Sequence, residues 1–138
     1  MMEYDSQNIF AKIIRKELPS EIVFENDHCL AIMDIMPRSN GHVLVLPRKP
    51  YRNLLDVDAN QLNECINLVQ KISKAVIVAF DADGVTVQQF NETAGGQEVF
   101  HLHFHVLPRH DGVNLRPPGR MEDSNLVKEN CIKIRSAL

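Results

Sequence analysis

The chain has only three cysteines, Cys29, Cys65 and Cys131, far apart and without a C-x-x-C pair. That count excludes a fully paired intramolecular disulfide framework and fits a reducing compartment. Positive charge is also scarce. The formal net charge is -3 and no basic run is longer than Arg48-Lys49, which argues against a protein that coats nucleic acid. The longest apolar stretch, Ala75 to Phe80, is far too short to span a bilayer. The opening residues Met1-Met2-Glu3-Tyr4-Asp5 are acidic and show no apolar signal region, so the expected location is cytoplasmic. No Gly/Ser-rich or charged linker divides the 138 residues, which read as a single domain over 1–138.

What is present is ordinary in bulk, with 44% hydrophobic and 24% charged residues, and unusual at one place. His101-Leu-His103-Phe-His105 sets three imidazoles at alternate positions. In an extended strand they would share one face about 7 Å apart, with Leu102, Phe104 and Val106 turned to a core. Histidine is a middling strand former, and its ring nitrogens want partners when buried. A face of imidazoles therefore points to a metal, an anion or nucleophilic chemistry rather than to packing. For zinc, His-x-His is a fair start, but the nearby acids Glu98 and Asp111 lack ligand spacing. For phosphorus chemistry, a neutral imidazole is a competent nucleophile, and flanking imidazoles can stabilise developing charge. Gly95-Gly96-Gln97, shortly after Asn91, adds a loop whose backbone N–H groups can approach an anion.

Around this strand the pattern is α+β. Ile9, Phe10, Ile13 and Ile14 follow a helical period after a cap at Asp5-Ser6, and Pro19 ends the pattern. Short strands are expected at 22–25, 29–33 and 42–46. Leu62, Cys65, Ile66, Val69, Ile72, Val76 and Phe80 trace one face of a long helix starting near Asp58. A strand at 85–90 follows, and 123–138 reads as a last amphipathic helix. The strands carrying His42 and His105 both exit through Pro-Arg, which suits antiparallel neighbours in one sheet.

Gly95-Gly-Gln-Glu-Val-Phe-His-Leu-His-Phe-His-Val-Leu-Pro-Arg109 resembles the signature of the histidine triad (HIT) proteins, His-x-His-x-His-x-x with x apolar. Ile9 to Pro19, Ala31 to Pro37 and Gly41 to Pro47 are similar, in order and spacing, to its nucleotide-binding subfamily. The resemblance covers about residues 8–119 and leaves 120–138 as a C-terminal helical extension. It implies a homodimer with a five-stranded antiparallel sheet and a short N-terminal helix per subunit, the long helix lying at the interface. It also implies hydrolysis or transfer at the α-phosphorus of a nucleotide. By position, His103 is the nucleophile, with its second ring nitrogen donating to the carbonyl of His101. His105 and His42 contact the phosphate. Asn91, Gly96, Gln97 and the amide of Glu98 form the oxygen cradle. Asp34, beside Ile35, accepts the ribose hydroxyls, and Ile9, Phe10, Ile13, Ile32 and Leu44 wall the base.

Three departures bear on function. The family's structural zinc uses positions that here are Asn8, Ala11 and Pro50, so no metal and no cofactor are expected. Glu98 stands in place of a family serine near the leaving group. The family tryptophan near Pro117-Pro-Gly119, a segment that helps read substrate across the dimer, is absent. The expected activity is a purine nucleoside phosphoramidase releasing a nucleoside monophosphate. The alternatives are a dinucleoside polyphosphate hydrolase or nucleotidyl transferase, or a nucleotide-binding module with little catalysis.

Overall fold

The computed structural model describes residues 3–138. Its elements run α1 (Ile9–Ile14), β1 (Ile22–Glu25), β2 (Cys29–Met33), β3 (Val43–Pro47), α2 (Ala59–Phe80), β4 (Gly84–Gln88), β5 (Phe104–Arg109) and α3 (Ser124–Ser136). The strands form one sheet in the order β1-β2-β3-β5-β4, with every neighbouring pair antiparallel. This is the five-stranded α+β architecture that the sequence led us to expect.

β2 and β3 are buried on both faces, and the period of two sorts their side chains between two cores. Cys29, Ala31, Met33, Val43 and Val45 join Phe104 and Val106 of β5 beneath α2 and α3. Leu30, Ile32, Leu44 and Leu46 face the other way and pack with Phe10 of α1. α3 supplies Val127, Cys131 and Ile134 to the larger core, so the last helix is integral to the packing.

Several boundaries differ from the sequence expectation. The cap of α1 is Asn8, whose carboxamide oxygen accepts from the Ala11 N–H at 2.9 Å, while Asp5 caps the preceding turn through Gln7 N–H. α2 starts where expected, with the Asp58 carboxylate accepting from Gln61 N–H. Ile66, expected on its buried face, is 45% exposed, and Leu68 and Ala75 are buried instead. One residue is a turn of about 100°, so a face centred on Cys65, Leu68, Ile72 and Val76 carries Ile66 off to the side.

The larger correction concerns the histidines. β5 begins only at Phe104, so His101 and His103 precede the strand and the triad does not form a regular three-residue ladder. Alternation survives locally: Leu102 is fully buried in the larger core, and His103 turns to the opposite side. His42 likewise precedes β3. β3 and β5 are antiparallel neighbours, with Leu44 opposite His105.

Candidate active site

On the α1 side of the sheet lies a cavity of about 530 Å³, within the usual range for a small-molecule site. Ile9, Phe10 and Ile13 from α1, Ile32 from β2 and Leu44 from β3 form its apolar wall. Asp34, Ile35, His42, His103 and His105 lie at its polar end, with Gly96 and Glu98 on the loop before β5. Twelve of the fifteen residues singled out from sequence thus meet around one space.

The other three are elsewhere. His101 is fully buried outside the cavity, its Nε2 against the Pro47 carbonyl at 2.8 Å and its Nδ1 2.6 Å from the Tyr4 hydroxyl. Asn91 uses its carboxamide to accept from Leu54 N–H and to exchange hydrogen bonds with Gln89. The Gln97 side chain, 3% exposed, accepts from Glu92 N–H and Asn53 Nδ2 and donates to the Arg52 and Val99 carbonyls. Asn91 and Gln97 therefore shape the loop instead of lining the cavity. The same loop is braced by Arg52, whose guanidinium forks onto Glu92 with two contacts of 2.8 Å. Gly96 sits at φ +95°, and a Cβ there would come within 3.3 Å of the Phe90 ring.

The hydrogen bonds determine which nitrogen of each histidine carries the proton. Arg38 N–H donates to His42 Nδ1 at 3.1 Å, so neutral His42 holds its proton on Nε2. That Nε2–H meets His105 Nδ1 at 2.9 Å, which makes His105 an Nε2–H donor. His103 Nδ1 lies 2.7 Å from the His101 carbonyl and must donate to it. Its Nε2 is consequently a bare lone pair, with no protein partner among the described residues. His101 donates from Nε2 to Pro47 and accepts from Tyr4.

Burial keeps all four imidazoles neutral. It pushes His42 and His105 down to about 3 and His101 down to about 4, and it lowers His103 as well. Asp34 is raised by the same desolvation, while its Oδ1 accepts from Met36 N–H at 2.8 Å. The edge of the Phe10 ring packs against His103, whose own ring centre is 5.0 Å from that of His105.

Asp34, His42 and His105 bring potential ligand atoms within 4.8 Å of one another. The positions of the protons do not suit a metal there. His42 can offer Nε2 to a cation only by moving its proton to Nδ1, where it would oppose the Arg38 N–H. The arrangement suits nucleophilic chemistry instead, since it sets a bare nitrogen beside an N–H donor in a largely apolar cavity.

The sequence did not single out Arg38, Gln88, Phe90, Val99, Pro118 or Gly119, which also line the cavity. Pro118 and Gly119 arrive through a clasp between distant segments. Arg116 N–H donates to the Arg38 carbonyl at 2.8 Å, Arg38 Nε donates to the Arg116 carbonyl at 2.9 Å, and Glu122 N–H donates to the Ile35 carbonyl at 3.0 Å. The resemblance implied that this segment reads substrate across a dimer; in this structure it walls the cavity of its own chain. Only the Pro-Pro-Gly run hinted at it, and a backbone pairing between residues 78 positions apart leaves no periodic signal.

The chain belongs to the HIT family: the HIT domain model matches residues 15–112. A crystal structure of a HIT-like protein involved in cell-cycle regulation from Bartonella henselae is 53% identical. It superposes with a TM-score of 0.96, covering 99% of this chain and 100% of that one. The purine nucleoside phosphoramidase of Escherichia coli is 36% identical over 104 residues, 73% of this chain and 86% of that protein. The adenosine 5'-monophosphoramidase HNT1 of Saccharomyces cerevisiae is 34% identical over 107 residues, 78% of this chain and 65% of that protein.

Proposed function

We propose that this protein is a nucleotide hydrolase acting at the α-phosphorus through a nucleotidyl-histidine intermediate on His103, with a purine nucleoside phosphoramidate as substrate. The observation that carries the reading is the bare Nε2 of His103, whose ring is held through Nδ1–H on the His101 carbonyl and lines a cavity with an apolar end for a base. In the first half-reaction the Nε2 lone pair attacks phosphorus, and the leaving nitrogen takes a proton from solvent and departs as the amine with the electrons of the phosphorus–nitrogen bond. His105 Nε2–H and nearby backbone N–H groups stabilise charge on the phosphoryl oxygens. Water then cleaves the phosphorus–His103 bond and releases the nucleoside monophosphate. Asp34, at the polar end, commits Oδ1 to Met36 N–H and offers Oδ2 to the ribose hydroxyls. No step requires a metal or cofactor. The two phosphoramidase relatives support the choice of leaving group.

The working form in this reading is a cytoplasmic homodimer joined along α2. Ile66, Ile77 and Val78 of that helix are 45%, 40% and 72% exposed and offer an apolar face for it. No helix among the described residues is long and apolar enough to cross a membrane.

Hydrolysis of adenosine 5′-phosphoramidate, assayed with a chelator present, tests the reading. Wild type should turn over, and His103→Ala should lose roughly 10³-fold or more in kcat while still binding AMP. A His103→Ala protein as active as wild type would refute it.

A further inference from the structure

The cavity is short of positive charge for a site that receives a phosphate. Its three lining imidazoles, His42, His103 and His105, are neutral near pH 7, and the acids Asp34 and Glu98 both line it. A nucleotide phosphate entering this space brings a further negative charge. The sole lysine or arginine among the lining residues is Arg38. The residue is half-buried, and its guanidinium has no carboxylate partner among the described residues. Its Nε is committed to the Arg116 carbonyl at 2.9 Å, which fixes the plane of the fork and leaves both terminal nitrogens open to a ligand. Its backbone N–H meanwhile sets the tautomer of His42, so one residue ties the phosphate end together. The positive charge is close enough to His42 and His105 to disfavour protonation of both.

An arriving anion would offset the desolvation of a half-buried cation that lacks a counter-charge. From this geometry we infer that Arg38 is a substrate-binding residue for the α-phosphate, supplying the fixed positive charge that the neutral histidines lack. The inference rests on the nucleotide reading of the cavity. It deepens that reading by assigning recognition of the phosphate charge to a residue outside the triad. It also sets a preference: nucleotides anionic at the α-phosphorus are held more tightly than uncharged nucleosides.

Calorimetric binding of AMP and of adenosine to wild type and to Arg38→Met tests it. Methionine keeps the aliphatic stem and leaves the backbone N–H to His42 in place. Wild type should bind AMP more tightly than adenosine, and Arg38→Met should weaken AMP by roughly 10- to 100-fold while leaving adenosine unchanged. Equal weakening of both ligands would overturn the inference and make Arg38 a brace for the 116–122 segment. Unchanged AMP affinity in Arg38→Met would overturn it too. The wild-type comparison stands even if the variant fails to fold, since equal affinity for AMP and adenosine contradicts a phosphate-charge site. Binding of neither ligand by wild type would instead sink the nucleotide reading itself.

Discussion

At the scale of single residues, the chemistry lies in where protons sit. A carbonyl takes the Nδ1 proton of His103, a backbone amide occupies Nδ1 of His42, and His42 in turn occupies Nδ1 of His105. This leaves an acceptor on His103 and a donor on His105 facing the cavity. Protonation of His103 would erase the nucleophile, and burial lowers its pKa below the ordinary 6.5. The kcat/KM of wild type should therefore fall on acidification with a midpoint below pH 6.5; a loss centred at or above 6.5 would contradict it. Stability follows the same sign. The unfolded imidazoles protonate as pH drops below 6.5, whereas the folded ones resist down to about 4 for His101 and about 3 for His42 and His105. The unfolded state thus takes up more protons in that window, and stability present above 6.5 is lost toward pH 3 to 4. Asp34, raised by burial, pulls the opposite way as pH approaches 3.8, but it is one group against four. Thermal unfolding across pH 8 to 4 checks this, with a falling midpoint as the expected result.

Elements place these residues through a few close approaches. Gly41, in the turn before His42, has φ +85°, and a Cβ there would lie 2.2 Å from the Phe80 ring at the end of α2. Gly41→Ala should destabilise the fold by about 1–3 kcal/mol and disturb His42 with it, read as a lower denaturation midpoint and a reduced kcat. A neutral effect would mean that the packing of α2 on this turn does not set the site. β2 and β3 were legible in the sequence as short, continuous apolar runs, and α2 through its periodic apolar face. The pairing of β3 with β5 was legible through their matching exits at Pro47-Arg48 and Pro108-Arg109. The fine structure of the triad was less visible. The period of two predicted three histidines on one face, but His101 precedes the strand and commits both nitrogens to Tyr4 and Pro47. Asn91 and Gln97 are polar loop residues of the kind that contact ligands, and only tertiary structure shows their side chains committed to Leu54, Gln89, Asn53 and Glu92. Nothing in the local sequence around Arg38 distinguishes it from a surface arginine.

In the molecule as a whole, the sheet separates a structural core from a working face. Leu102 joins the two: it is fully buried beneath α2 while its chain neighbours are His101 and His103. Leu102→Ala should cost about 3 kcal/mol of stability, measured by chemical denaturation, and should lower kcat by loosening the carbonyl that holds His103. A variant that loses stability with an unchanged kcat would separate the core from the catalytic geometry. The clasp between residues 35–40 and 116–122 closes the cavity from the far end of the chain, so the wall depends on the whole polypeptide.

The most direct test of the whole scheme is rapid acid-free quenching of wild-type protein turning over adenosine 5′-phosphoramidate, followed by mass spectrometry of its peptides. An adenylyl group on the peptide containing His103, absent from His103→Ala, is the predicted result. Sustained turnover with no covalent adduct, together with an active His103→Ala protein, would contradict a histidine nucleophile.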